Sequence, residues 1–283
     1  MVGIYEEDAG ILFPERCVEA FLTEGVKKGG NLQFGVKVQG FRELNLNGEK
    51  IVEVETTSGR LFTKKLILSP GAYITELLPS LPLTVERKAI FWLTPNASVL
   101  PIFQPPFFPI FIIDDDRSFC SSFESSTPSS SPLLLLSSLT FEEPSSSSFP
   151  SLYGFPDLGE GVKTAFHVDK RSQGGGRRER SIKDVRREVE EEEERDFMER
   201  ISLYLPHILG GKKRKGVCLY TMTDDENFII DFLSENVIVC SACSGHGFKF
   251  GSVVGEIIRD LCMKGKSSFD LQPFKLDRGK AKL

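Results

Sequence analysis

Ser244-Gly-His-Gly-Phe-Lys-Phe250 places a histidine between two glycines and a lysine directly ahead of an apolar-patterned stretch. Glycines permit tight backbone turns. A helix that follows leaves unpaired N–H donors and a positive end facing whatever lies at its start. Such a loop suits an electron-rich ligand that gains negative charge during reaction, and Lys249 is of the right type to hold a carboxylate by a charge-assisted hydrogen bond. A plain glycine-rich helix start with a surface lysine satisfies the same pattern. A second group lies in Val162–His167. Strand alternation puts Lys163, Ala165 and His167 on one face and Val162, Thr164 and Phe166 on the other, so a cation and an imidazole would share a cavity. An ordinary edge-strand lysine is the alternative. Cys218 sits in an apolar-flanked run, where a lone cysteine is usually an inert small hydrophobe. Cys240, Cys243 and His246 have ligand-like Cys-x-x-Cys-x-x-His spacing, but no second cysteine pair completes a zinc site and Cys240 closes an apolar strand. No metal is expected.

These residues need elements to hold them. Pro14 starts a helix carrying Val18, Phe21, Leu22 and Val26 at helical spacing, and Gly29-Gly30 end it. Strands are expected over Leu32–Val38, Ile51–Glu55 and Leu61–Leu68, the last running into Ser69-Pro-Gly-Ala-Tyr73, where Gly71 would let backbone approach a ligand. Glu86–Leu93 and Phe107–Ile113 suit two more strands. Ser181–Leu205 reads as a helix whose Glu190–Glu194 run forms a solvated face. Phe228–Leu233 and Val237–Cys240 flank Ser234-Glu-Asn236 as a hairpin. A closing helix carries Val253, Val254, Ile257, Ile258, Leu261 and Cys262 on one face and ends at Gly265. Fourteen serines fall between Ser118 and Ser148, and a segment so poor in apolar pattern is expected to be a disordered insertion.

The 283 residues are enough for one large domain or two interleaved ones, and 40% hydrophobic with 27% charged content is ordinary for a globular protein. A net charge of −5 gives no reason to expect nucleic acid or an anionic membrane as partner. No apolar run is long enough to cross a bilayer, and no secretory leader is expected at the acidic N-terminus. Six scattered cysteines fit thiols better than a disulfide framework. The terminal Ala281-Lys282-Leu283 is close to the Ser-Lys-Leu peroxisomal address.

Val217-Cys-Leu-Tyr-Thr221, with Asp225, Phe228 and Asp231, then Ser244-Gly-His-Gly-Phe-Lys-Phe250, together resemble the C-terminal signature of the sarcosine oxidase and pipecolate oxidase family of FAD-dependent amine oxidoreductases. Tyr153-Gly-Phe-Pro156 and the segment through Lys163 and His167 are also similar to that family. The resemblance implies an α/β flavoprotein in which an incomplete FAD-binding domain (1–80 and 223–283) is interleaved with an antiparallel-sheet substrate domain (81–117 and 150–222), leaving 118–149 as the insertion. It implies oxidation of a sarcosine- or pipecolate-like secondary amino acid by FAD and oxygen, with release of hydrogen peroxide, in a monomeric protein. In that pattern Lys163 favours oxygen reduction, His167 occupies a family position, and Lys249 binds the substrate carboxylate. Cys218 forms a thioether to the flavin, and Gly71, Gly245, His246, Gly247 and Phe248 lie against it. Peroxide formation would suit a peroxisomal location reached through the import receptor for the terminal tripeptide. The family's Gly-x-Gly-x-x-Gly fingerprint and an early carboxylate-binding arginine have no counterpart in the sequence. The alternative is therefore a non-catalytic fragment that retains the fold.

Overall fold

The computed structural model describes residues 4–113, 151–168, 178–211 and 213–278. The serine-rich segment and the terminal Ala281-Lys282-Leu283 lie outside them. Two compact units emerge. One comprises residues 1–86, 178–186 and 219–283, and the other residues 87–177 and 187–218.

In the first unit, α1 (Pro14–Lys27) begins with proline at its first turn, where a missing N–H costs nothing. Its chain leaves through Gly29 at φ +92°. None of its residues is buried, and Val18, Leu22 and Val26 line an apolar groove with Leu32 and Phe34. β1 (Val38–Leu46), β2 (Glu49–Thr56) and β3 (Gly59–Thr63) form an antiparallel meander. β4 (Leu66–Leu68) leads through a 3-10 turn at Gly71–Tyr73 into the one-turn α2 (Ile74–Leu77). β4 belongs to a different sheet, pairing parallel with β12 (Val237–Ser241), which is itself antiparallel to β11 (Ile229–Ser234).

All five residues of β12 are buried. Val237 and Val239 pack with Val52, Leu68 and Ile74, while Ile238 and Cys240 pack with Ile257 and Leu261. A strand covered on both faces reads as a continuous apolar run, as this one does. The last two partners belong to α4 (Gly251–Lys264), which Gly265 ends in the left-handed conformation at φ +69°.

In the second unit, β5 (Thr84–Leu93), β6 (Phe111–Ile113), β7 (Ser151–Phe155), β8 (Val162–Val168) and β10 (Lys213–Met222) form a sheet ordered β10-β5-β8-β7-β6. Residues 84–86 of β5 and 219–222 of β10 belong to the first unit, where β9 (Arg178–Glu179) pairs with Val85 and Glu86. α3 (Glu191–Tyr204) lays Phe197, Met198 and Ile201 on Phe91, Leu93, Leu152 and Val162, with Phe91 and Phe197 stacked at 4.2 Å between centroids.

Five expectations shift. Residues 32–37 join no ladder, because Gly35 turns the chain at φ +70° and pairing starts at Val38. The run Leu61–Leu68 divides between two sheets at Lys64-Lys65, where Thr63 Oγ1 donates to the Lys65 carbonyl at 2.9 Å. Only Phe111–Ile113 of the expected Phe107–Ile113 strand pairs, since the Phe107 and Phe108 N–H groups close a turn on the Gln104 carbonyl. The helix expected from Ser181 begins at Glu191. Ser181 instead caps a short 3-10 turn by accepting from the Lys183 N–H, and Val185 joins Val85 and Ile182 in a separate small cluster. Nor is the glutamate run wholly solvated. Glu193 forms a two-point ion pair with the buried Arg87 at 2.8 and 3.0 Å, and Glu194 pairs with Lys215 at 2.7 Å.

Candidate active site: a glycine loop and a cationic sheet face

Each unit carries some of the candidate residues, and each set is built locally. In the first, β4 and β12 run parallel in the register Leu66–Val237 to Leu68–Val239. Their chains therefore leave at the same edge, β4 toward Gly71 and β12 toward Gly245 and Gly247. Open sheets with parallel strands bind ligands at that carboxyl edge. Gly71 has φ +59°, and no heavy atom lies within 4 Å of where a Cβ would sit. Its lack of a side chain thus serves backbone conformation and leaves open space beside the turn.

The Ser244–Phe250 loop is held firmly. The Ser244 N–H donates to the Thr221 carbonyl at 2.9 Å, and Ser244 Oγ donates to the Asn227 carbonyl at 3.1 Å. Gly245 adopts φ +75° with its missing Cβ only 2.6 Å from the Tyr220 ring, and a Cβ on Gly247 would collide with the Ala242 carbonyl oxygen. Both glycines are dictated by close approach. His246 Nδ1 lies 2.8 Å from the Ser244 carbonyl, and its ring sits 5.1 Å from that of Phe228. A 3-10 turn over Gly247–Phe250 intervenes before α4, so the loop does not enter the α-helix directly. His246, Phe248 and Lys249 remain exposed at this turn. Cys240 is buried, which pushes its thiol up to about 11, and burial raises Cys243 as well. Among the described residues no three histidine, cysteine or carboxylate donors converge on a metal site.

In the second unit, the β8 face carrying Lys163 and His167 is more closed than alternation implies, because Ala165 between them is fully buried. Lys163 is half-buried between two strands. Trp92 on β5 and Phe155 on β7 are its register partners, and their ring centroids lie 5.8 and 5.5 Å from its ammonium. Tyr153 continues the same face, edge-on to both Phe155 and His167. On the far side of Trp92, the Arg214 guanidinium lies 4.1 Å above the indole and pairs with Glu160 at 2.7 Å. A Cβ on Gly216 would meet the indole at 3.6 Å. Cys218 follows two residues later, on the same face of β10 by strand alternation. The half-buried Cys218, Lys163 and His167 thus share one sheet face, which Trp92 spans. Sequence inspection missed Trp92, Phe155 and Arg214. Their signal was the alternation within β5, β7 and β10, legible only once the strands' neighbours were known.

The family model for FAD dependent oxidoreductases matches residues 1–261. The chain belongs to this family of flavin-dependent amine and amino-acid oxidoreductases. It is 29% identical over 279 residues to monomeric sarcosine oxidase of Bacillus sp. (strain B-0618), covering 98% of this chain and 62% of that relative. It is also 29% identical over 289 residues to N-methyl-L-tryptophan oxidase of Salmonella dublin, with 98% and 63% covered. The chain thus spans less than two thirds of these relatives' length. Among solved structures, NikD, an amino acid oxidase essential for nikkomycin biosynthesis, superposes with a TM-score of 0.64 at 19% identity over 92% of this chain and 59% of its own. L-proline dehydrogenase from P. horikoshii gives 0.64 at 16% identity over 94% and 59%. The α/β flavoprotein fold is that of these amino-acid oxidoreductases.

Taken separately, the residues of each unit are of a kind that fits contacts to FAD. In the first, a left-handed glycine turn bordered by open space and a tightly held glycine loop share one carboxyl edge. In the second, a cation and a half-buried thiol occupy one sheet face. The pyrophosphate end has no Gly-x-Gly-x-x-Gly turn in the sequence.

Proposed function

We propose that the chain carries the substrate- and flavin-facing residues of an FAD-dependent oxidase acting on a secondary amino acid, N-methylated or cyclic, with release of hydrogen peroxide. FAD, when bound, supplies the electron acceptor for oxidation of the carbon–nitrogen bond and the reductant for oxygen. Lys249 binds the substrate carboxylate by a charge-assisted hydrogen bond. The tight turns at Gly245 and Gly247 aim backbone N–H groups at the cofactor edge where negative charge develops, with His246, Phe248 and Gly71 beside them. Lys163 places a fixed positive charge where oxygen gains an electron, His167 lies on the same strand face, and Cys218 offers its sulfur as a covalent tether. The observation that carries this reading is the half-buried ammonium of Lys163, walled by Trp92 and Phe155 on the face that also holds His167.

The test is peroxide formation by the purified protein supplied with FAD and with sarcosine, N-methyl-L-tryptophan or L-pipecolate. Oxidation of at least one, reduced on the order of 10²–10³-fold in Lys163→Met, is expected for loss of a preorganised charge. A yellow, FAD-binding preparation that oxidises none of them overturns the proposal. A second reading is a non-catalytic protein that keeps the fold as a binding module. It predicts a colourless protein even in excess FAD. We further propose, on residues Ala281-Lys282-Leu283 alone, recognition by the peroxisomal import receptor; loss of peroxisomal targeting on their deletion tests it. The sarcosine and N-methyl-tryptophan oxidases above are bacterial and lend that address no support.

A further inference from the structure

We infer that Trp92 is a positioning residue that holds the Lys163 ammonium in place through its π face, with Arg214 fixing the indole from the other side. This rests on the proposed role of Lys163 only for its consequence in oxygen reduction, and its geometry stands without it.

Lysine has four rotatable side-chain bonds and a strongly hydrated head, so a half-exposed lysine ordinarily samples many positions. Here its neighbours on both flanking strands are aromatic. Trp92 stands directly opposite Lys163 in the β5–β8 pair, and Phe155 directly opposite it in the β7–β8 pair. Both ring centroids lie within the roughly 6 Å over which a ring's quadrupole attracts a cation. Directly opposed residues on one sheet face have neighbouring Cβ atoms, so this slot follows from register and needs no long-range adjustment.

The indole is itself fixed. Gly216 on β10 lies against it, and a Cβ there would make ordinary van der Waals contact with the ring at 3.6 Å. Arg214, two residues earlier on that strand face, stacks on the indole at 4.1 Å, and Glu160 anchors the guanidinium at 2.7 Å. Tryptophan is the aromatic best suited to attract a cation, and arginine the cation best suited to stack on it. Glu160, Arg214, Trp92, Lys163 and Phe155 therefore form one row across four adjacent strands and the loop before β8. The row ends in a cation confined between two rings.

The test reads Lys163 directly, whether or not flavin is bound. The full-length chain is treated with an amine-acetylating reagent, and modification of Lys163 is followed by peptide mass spectrometry with the exposed Lys64 as internal reference. An exposed-site cation–π contact corresponds to roughly a two- to fivefold change in an equilibrium. Trp92→Leu, which keeps apolar bulk but loses the ring, should raise Lys163 acetylation relative to Lys64 by about that factor. Trp92→Phe, which keeps a ring, should restore most of the protection, and Arg214→Gln should give a smaller increase. Equal acetylation in wild type and Trp92→Leu, with both folded by circular dichroism, overturns the inference. So does equal behaviour of the Leu and Phe variants, which would show that bulk alone matters. If labelling behaves as expected while Lys163→Met leaves peroxide formation intact, the positioning stands and the role in oxygen reduction falls.

Discussion

Leu68 and Val239 are register partners in a parallel pair, and the glycine turns at Gly71 and Gly245 both leave from the edge those two residues approach. Two segments far apart in the chain are thereby brought to one sheet rim by a three-residue strand. β4 is short, but its partner β12 is buried on both faces, so the rim is anchored on a fully buried strand.

That anchoring makes the loop glycines a stability test as well as a functional one. Gly247→Ala must displace the Ala242 backbone carbonyl and should cost about 1–3 kcal/mol, as overpacking does. Gly251→Ala, at the start of α4 with nothing within 4 Å, should instead gain about 0.4–1 kcal/mol. Thermal denaturation of both variants checks the contrast; equal effects would show that the loop shifts freely.

The glutamate run before and within α3 should prove uneven. Glu193 pairs with an Arg87 side chain that is only 6% exposed. Removing Glu193 takes the carboxylate from a buried guanidinium that otherwise keeps the Glu188 carbonyl at 2.7 Å, so Glu193→Ala should cost about 3 kcal/mol. Glu191→Ala and Glu192→Ala, on exposed positions, should stay within about 0.5 kcal/mol. Urea unfolding of the three variants provides the comparison.

Asp225 accepts two hydrogen bonds from Arg278, and that guanidinium holds its carboxyl well below the usual carboxylate range. A carboxyl depressed in the folded state contributes stability above the unfolded value near pH 4, lost progressively as pH falls further. The pair is partly exposed, so solvent screening limits it to about 1 kcal/mol. Asp225→Asn should therefore lower the melting temperature at pH 7 and narrow its gap to wild type below about pH 4. A gap that widens on acidification would contradict this.

Thiol chemistry should separate the cysteines. With its thiol pushed up to about 11, Cys240 is almost entirely protonated at pH 8 and is also buried, so it should alkylate slowly. Cys218 is half-buried and should react first of the two. In a yellow preparation carrying the proposed tether, the Cys218 peptide should bear flavin mass and resist alkylation. An unmodified Cys218 peptide from active enzyme excludes the tether.

Much of the frame was legible from pattern alone. The β11–β12 hairpin and α4 combine apolar runs with unambiguous ends, Ser234-Glu-Asn236 and Gly265, and both stand as expected. The Ser244–Phe250 loop was legible because glycines mark close approach whatever the partner, although Tyr220 and Ala242 as those partners were not. What escaped was non-local. Whether Leu61–Leu68 is one strand or two depends on which neighbours claim each half, and the Lys163 slot depends on β5 and β7 lying to either side of β8. Single-sequence periodicity records which way a side chain points and says nothing of what stands opposite it. The helix expected at Ser181 failed for a related reason. Val185 supplied an apolar position at helical spacing, but its packing partners are Val85 and Ile182, not the sheet under α3.

α1 adds a consequence of its own. None of its fourteen residues is buried, and Phe21 is 61% exposed. Isolated helices of this length are marginal in water, because nucleation is costly and little but propensity offsets it. Backbone amide hydrogens should report this. Those of β12 should exchange with solvent only when the whole unit unfolds, whereas those of α1 should exchange through local opening many orders of magnitude sooner. Within one folded chain, then, α1 lives on a different clock from the strands that follow it.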